Sequence, residues 1–278
     1  MTIGEAIILG LVQGIAEFLP ISSSGHLAIL QNLFNMSDLE GGHMFFDVLL
    51  HFGTLIAICF MYWNDITRMF NEVIDMLTGR NRIANGKYKP LPAARMFGLI
   101  IVATIPLVLI LPVNDYIEQL STSTVFVGIA LLLTGCMLFV SDKMTQGTKT
   151  EKNMRFFDAI IIGLCQCVAT LPGLSRSGTT ITAAVATGQN RQYAVKFSLL
   201  MSIPAVLGAT LLEFVKAIKA GIDVSLIPAY IIGMIAAMIS GVFSIGILKM
   251  IAKKAKFGGF AYYCWVVGAL TIILSLIF

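Results

Sequence analysis

The chain has 278 residues, of which 57% are hydrophobic and only 12% charged, and its mean hydropathy is +0.88. A soluble domain carries roughly 25% charged residues. A water-facing surface cannot be built from this composition, which excludes a secreted disulfide scaffold, a disordered regulator and a nucleic-acid module. The formal net charge of +4 is small, and where the charges fall says more than their sum.

The first element, residues 4–34, is apolar, breaks at Pro20 and the Ser22–Gly25 run, and then resumes. It lacks a basic leading region, carries Glu5 and shows no cleavage site, so it does not read as a secretory signal. Residues 45–63 make a first span, with Asp47 and His51 near its start; His43 just before it reads as a surface residue. Beyond it, Ile66, Met69, Phe70, Val73, Ile74 and Leu77 recur at helical spacing, with Asp65, Arg68, Glu72 and Asp75 on the opposite side. That pattern predicts a short amphipathic helix on the inner leaflet.

Residues 97–113 and 125–140 hold no charge and predict two more spans, since a spanning helix needs about 20 apolar residues. Residues 157–190 repeat the broken pattern of the first element. Residues 197–215 (interrupted only by Glu213), 226–248 and 260–278 complete a set of six spans. The five cysteines, Cys59, Cys136, Cys165, Cys167 and Cys264, all sit in apolar segments, and the Cys165–Cys167 spacing suits neither zinc nor redox chemistry. Packing is their expected role.

Lysine and arginine collect on alternate connections: Arg68 to Arg95, Lys143 to Arg155, and Lys249 to Lys256. The loops around Asp38 and Asp115 have none. By the positive-inside rule the basic connections are cytoplasmic, which places both termini outside if the two broken elements each return to their own side.

Laid over each other with Glu5 on Asp158, the broken elements share ten of the 22 residue pairs from 5–26, against about two expected by chance from composition. This is an internal repeat. Three spans separate the copies, so the second enters from the opposite face. The expected architecture is an all-α polytopic membrane protein, one domain over 1–278. It comprises six spanning helices and two re-entrant helix–loop–helix hairpins in an inverted repeat. Repeat one is 1–141 (hairpin 4–34), and repeat two is 157–278 (hairpin 157–190). Broken backbone survives in a bilayer only where protein or trapped water satisfies it, so the two tips should meet near the midplane.

The tips concentrate polar groups that are costly at that depth. Gln13 and Glu17 share a helix face at i, i+4 spacing and can offer oxygens to a hard cation. Ser22, Ser23 and Ser24, followed by Gly25 and His26, open the second half-helix, whose free N–H groups favour an anion. The second tip repeats that nest with Ser175, Ser177, Gly178 and Thr180 and adds Arg176, whose planar fork suits a phosphate. The set describes a phosphate site. A purely structural Glu17–Arg176 ion pair, and close packing for Ser24, Gly25 and Ser177, are the plainer readings of the same residues. The run Gly173 to Gly178 mimics a phosphate loop without its lysine, and no nucleophile-elbow motif is present.

On Gln13–Glu17, Ser22–His26 and Pro172–Gly178, in number and order of spans and along nearly the whole chain, the sequence resembles the undecaprenyl-pyrophosphate phosphatase family of bacterial membranes, the bacitracin-resistance type. The resemblance implies hydrolysis of a C55 polyprenyl diphosphate to the monophosphate and inorganic phosphate. That reaction recycles the carrier for cell-wall polymer synthesis, with bacitracin resistance as a consequence. It implies a divalent cation, Mg²⁺ or Ca²⁺, held by Glu17 and Gln13, and a multi-pass protein of the cytoplasmic membrane whose site opens to the outer side.

Glu17, Ser23, His26 and Arg176 carry over as catalytic residues, and Ser22, Ser24, Gly25, Ser175, Ser177, Gly178 and Thr180 as substrate-binding ones. The expected partners are the prenyl diphosphate and the bilayer, with a homodimer as the candidate assembly and no nucleic acid. Gln13 is the neutral option at its motif position, and His51 and Lys196 stand where other members often carry Gln and Glu. The nucleophile is Ser23, His26 or water. An inverted-repeat transporter or flippase for a phosphorylated lipid or anion is the competing class.

Overall fold

The computed structural model describes residues 1–33, 42–82, 88–220, 223–254 and 256–277. The Asp38 loop and the side chain of His43 lie outside the described residues. Among the described residues the regular structure is helical, with only two isolated β-bridges, Arg82–Tyr88 and Lys149–Gln189. In order the helices are α1 (Ile3–Phe18), α2 (Ser23–Leu33), α3 (Gly42–Met61), α4 (Trp63–Thr78), α5 (Pro92–Thr104), α6 (Asn114–Gln119), α7 (Thr124–Lys143), α8 (Phe156–Val168), α9 (Arg176–Ala186), α10 (Arg191–Ala220), α11 (Ile227–Lys254) and α12 (Gly258–Ile277).

Five stretches are long and apolar enough to cross a bilayer: Pro92–Val113, Thr124–Lys143, Arg191–Lys219, Val224–Lys254 and Gly258–Ile277. A sixth is reached only by counting the pair Phe45–Met61 and Trp63–Thr78, which is bent by 74°. The bend sits at Tyr62, where the apolar run of α3 gives way to the amphipathic pattern of α4, so α4 turns away. Within Pro92–Val113 the α-helix ends at Thr104 and continues as 3₁₀ over Ile105–Val113; Pro106 and Pro112 lack the N–H that an α-helix would use there. The chain is thus an all-α polytopic membrane protein. All five cysteines are free.

Local chemistry sets the helix ends. Thr2 and Glu5 form a reciprocal capping box on α1, the Thr2 N–H donating to the carboxylate at 2.7 Å. Glu72 on α4 pairs with Arg68 at 2.9 Å and accepts from the Ala93 and Ala94 N–H groups at 2.6 and 3.1 Å, tying α4 to the start of α5. Asp158 accepts from the Arg155 N–H at 2.8 Å and from Lys149 Nζ at 2.7 Å at the start of α8. Asp142 accepts from the Phe257 N–H at 2.7 Å and from the Gly258 N–H, and pairs with buried Arg191 at 3.3 Å, joining the ends of α7, α10 and α12.

Helix seams rest on small residues, which let backbones approach in lipid where no hydrophobic drive joins helices. Gly10 and Gly14 of α1 lie against Gly233, Ala237 and Ser240 of α11, and Gly128 and Gly135 of α7 lie against Gly268 and Trp265 of α12. The first seam positions the site, because Glu17 lies three residues beyond Gly14.

Candidate active site

Both broken elements fold as helix, break, helix: α1–α2 and α8–α9. Each second helix is capped in the same way. Ser22 Oγ accepts from the Gly25 N–H at 3.3 Å, and Ser175 Oγ from the Gly178 N–H at 3.1 Å. The remaining first-turn N–H groups of α2 and α9 have no partner within their own helix. The turns rest on two positive-φ residues, Ser22 at 71° and Gly173 at 90°. At Gly173 a Cβ would lie 2.6 Å from the Val127 carbonyl oxygen, so glycine is required by space as well as by backbone.

The tips touch. The Gly173 N–H donates to Ser24 Oγ at 3.4 Å, and Ser177 Oγ donates to the Leu19 carbonyl at 3.3 Å. A Cβ at Gly25 would stand 3.5 Å from Gly173 Cα, and one at Gly178 would stand 3.3 Å from Pro20 Cβ. The two N-terminal nests therefore share one volume.

Glu17 is at its centre. Its side chain is 4% exposed, and one carboxylate oxygen pairs with Arg176, 159 positions away and 22% exposed. The other oxygen accepts from Ser23 Oγ at 2.7 Å and from Gln13 Nε2 at 3.1 Å, with His51 Nδ1 at 3.8 Å. Gln13 Nε2 also donates to His51 Nδ1 at 3.0 Å. With both amide protons used, Gln13 Oε1 is left buried and without a hydrogen-bond partner.

The remaining site residues are placed less centrally. Ser22 and Ser24 hydroxyls are 3.4 Å apart, and those of Ser175 and Ser177 are 3.2 Å apart. Thr180 returns its hydroxyl to the Arg176 carbonyl at 2.9 Å, fixing the first turn of α9. His26 turns to Tyr263 of α12 at 2.7 Å and to the Ser22 carbonyl at 2.7 Å.

Two contacts involve residues outside the expected set: Tyr263 on His26, and Thr134 accepting from the Ser175 N–H at 3.1 Å. Each lies in an apolar helix, and its facing depends on helix rotation. His51, conspicuous near the start of the first span, reaches Gln13 from behind the cluster. Asp47 accepts from Gln31 at 2.9 Å, while Lys196 pairs with Asp65 of α4 at 2.5 Å, away from the tips.

The two halves are chemically unequal. Gln166, the repeat counterpart of Gln13, is buried with neither amide atom bonded, and the counterpart of Glu17 is Thr170, which donates to the Cys167 carbonyl at 2.7 Å. Carboxylate and serine come from one tip and guanidinium from the other. Together they can grip a phosphate, take a proton from a hydroxyl and offer an oxygen to a cation.

A family model described as bacitracin resistance protein BacA matches residues 6–270. The undecaprenyl-diphosphatase of Alkaliphilus metalliredigens (strain QYMF) is 43% identical over 282 residues, covering all of both chains. That of Methanosphaera stadtmanae is 43% identical over 278 residues, 98% of each chain. That of Carboxydothermus hydrogenoformans is 38% identical over 277 residues, 98% of this chain and 97% of the relative. With tips that meet as described and a match along nearly its whole length, the chain belongs to the BacA bacitracin resistance protein family.

Proposed function

We infer that this chain hydrolyses undecaprenyl diphosphate to undecaprenyl phosphate and inorganic phosphate, as the names of its relatives describe. The observation that carries the reading is Glu17, held between Arg176 of the opposite tip and the Ser23 hydroxyl. A structural ion pair needs no serine on the carboxylate's second oxygen.

In the proposed mechanism Arg176 and the first-turn N–H groups of α2 and α9 bind the terminal phosphoryl oxygens and stabilise their charge in the transition state. Ser23 Oγ attacks that phosphorus while Glu17 takes the hydroxyl proton. The bridging P–O bond breaks, and undecaprenyl phosphate leaves with the proton from Glu17. Water then attacks the phosphoserine and gives its proton to Glu17, the P–Oγ bond breaks, Ser23 Oγ takes the proton back from Glu17 and inorganic phosphate is released.

A divalent cation fits these residues. Magnesium sites use one or two carboxylates together with substrate phosphates, and here a carboxylate stands beside a buried amide oxygen with no partner. Among the described residues no group of three or more His, Cys, Asp or Glu could hold a metal without substrate. Glu17 and Gln13 Oε1 would hold the ion, which when bound neutralises diphosphate charge.

The inverted arrangement of the two repeats, a site opening to the outer side and a cytoplasmic-membrane location belong to the same proposal. The distribution of basic loops supports them. A single cysteine placed at Thr2 should react with an impermeant reagent from outside intact cells, and one at Lys152 only after permeabilisation. The test of activity is phosphate release by purified protein in detergent, with Mg²⁺ or Ca²⁺ and a series of prenyl diphosphates. Release with a preference for long chains is expected. Binding without release would remove the hydrolase reading in favour of a carrier.

A further inference from the structure

Gln13 and His51 stand on different helices, α1 and α3, and meet beside the carboxylate of Glu17. That carboxylate, paired with Arg176, can only accept, so it is the Gln13 amide nitrogen that faces it, at 3.1 Å. The second amide proton is directed at His51 Nδ1, 3.0 Å away. Nδ1 therefore offers a lone pair, and the ring proton is on Nε2. An ion pair between His51 Nδ1 and Glu17, which lie 3.8 Å apart, would need a proton on that same nitrogen. The ring accepts from Gln13 instead.

One hydrogen bond would fix only the nitrogen end of the amide. Two, to acceptors on different helices, fix its plane, and Gln13 Oε1 is the atom left over: buried, with no hydrogen-bond partner among the described residues. Leaving a buried acceptor unmade is costly. Turning the amide over would set that oxygen against both the carboxylate and the Nδ1 lone pair. The two helices are themselves clamped at one turn of α11, since a Cβ at Gly10 of α1 would run into the Gly233 carbonyl and one at Gly53 of α3 into the Met234 carbonyl. Gln13 lies one turn beyond Gly10, and His51 lies just before Gly53, where Thr54 Oγ1 donates to the His51 carbonyl at 2.8 Å.

We propose that His51 is a positioning residue for the divalent cation, its Nδ1 lone pair holding the Gln13 amide so that Oε1 stays free as an oxygen ligand beside Glu17. The proposal rests on the reading of Gln13 Oε1 as a cation ligand, and His51 acts through Gln13 alone. Partners that orient a metal ligand in this way are worth about 10–100-fold in metal affinity.

The test measures Mn²⁺ binding to purified protein in detergent, from the loss of the free-ion signal in electron paramagnetic resonance. A prenyl methylenediphosphonate, whose P–C–P bridge resists hydrolysis, stands in for the substrate, and binding is referenced to that analogue alone. Wild type is compared with His51→Leu, His51→Asn, Gln13→Ala and the double variant of Gln13→Ala with His51→Leu, each checked for monodispersity. His51→Leu removes the acceptor and should weaken Mn²⁺ binding about tenfold. His51→Asn, whose side-chain oxygen can stand where Nδ1 does, should bring it back to within about threefold of wild type. In the Gln13→Ala background His51→Leu should cost nothing further, because residues acting through one another are not additive. The Mg²⁺ concentration for half-maximal phosphate release should follow the same order. Unchanged Mn²⁺ affinity in His51→Leu, no recovery in His51→Asn, or losses that multiply in the double variant would overturn the role of His51. Unchanged affinity in Gln13→Ala would remove Gln13 as a ligand, and the positioning role with it. Mn²⁺ binding that follows the expected order, without phosphate release from undecaprenyl diphosphate, would support the role of His51 and remove the hydrolase reading.

Discussion

Glu17 and Arg176 lie on different hairpin tips, 159 residues apart, and form an ion pair in which the carboxylate side chain is only 4% exposed. Neither half of the chain can make this contact alone. A buried pair of this kind is weak evidence for stability, since desolvation offsets the attraction, but breaking it leaves one charge stranded. Its value is therefore better sought in what it does when a phosphate arrives and draws Arg176 toward new oxygens.

Arg176→Ala should lower kcat by at least about 10²-fold, in the range found when one transition-state donor is removed. It should also lower stability by on the order of 3 kcal/mol, because Glu17 stays buried without its cation. Adding Glu17→Gln should restore thermal stability in detergent without restoring phosphate release. Recovery of both together would mark the pair as purely structural.

Gln13 Oε1 is buried and unbonded while its amide nitrogen is fixed by Glu17 and His51. Gln13→Glu supplies a second carboxylate and should reduce the Mg²⁺ concentration for half-maximal turnover about tenfold, since ligand charge count tunes affinity for hard cations. Chelation should silence wild type, and added cation should revive it. An unchanged metal requirement in Gln13→Glu would place the cation elsewhere.

At Gly173 a side chain meets the Val127 carbonyl and the backbone is left-handed. Gly173→Ala should cost about 2 kcal/mol or more, combining the conformational penalty with overpacking. It should also push the second tip away from Ser24. A fall in melting temperature accompanied by lost activity is the expected result.

A Cβ at Gly14 would collide with Ser240 Oγ and the Ala237 carbonyl, whereas one at Gly246 meets nothing within 4 Å. Gly14→Ala should therefore displace α1 and cut phosphate release severely. Gly246→Ala on the partner helix should leave turnover within about twofold, as substitutions away from packed features do. Equal behaviour of the two variants would contradict the seam.

The two tips were legible because serine, glycine, proline and charge are conspicuous in an apolar chain, and because the sequence repeats itself there. Gln13, Glu17, Ser23 and Arg176 come together in the structure as one cluster. His26 sits to one side of it, since its ring is claimed by a tyrosine on the last helix. Tyr263 gave no signal: a tyrosine in a span reads as interfacial belt, and only the rotation of α12 brings its hydroxyl onto His26 while its ring stays 42% exposed. The turn at Tyr62 was legible as well: the apolar run of the first span gives way to the amphipathic pattern of residues 66–77, and the axes of Phe45–Met61 and Trp63–Thr78 diverge by 74°.

The glycine seam between α1 and α11 has an effect beyond packing. With only alanine and serine side chains between the two backbones, α1 is geared to the long apolar helix α11, and Glu17 follows any tilt of α11. Spans tilt to match the hydrocarbon thickness around them. A membrane grown thinner or thicker should therefore change the rate of phosphate release through a helix that contributes no residue to the site, which turnover in bilayers of different acyl length would measure.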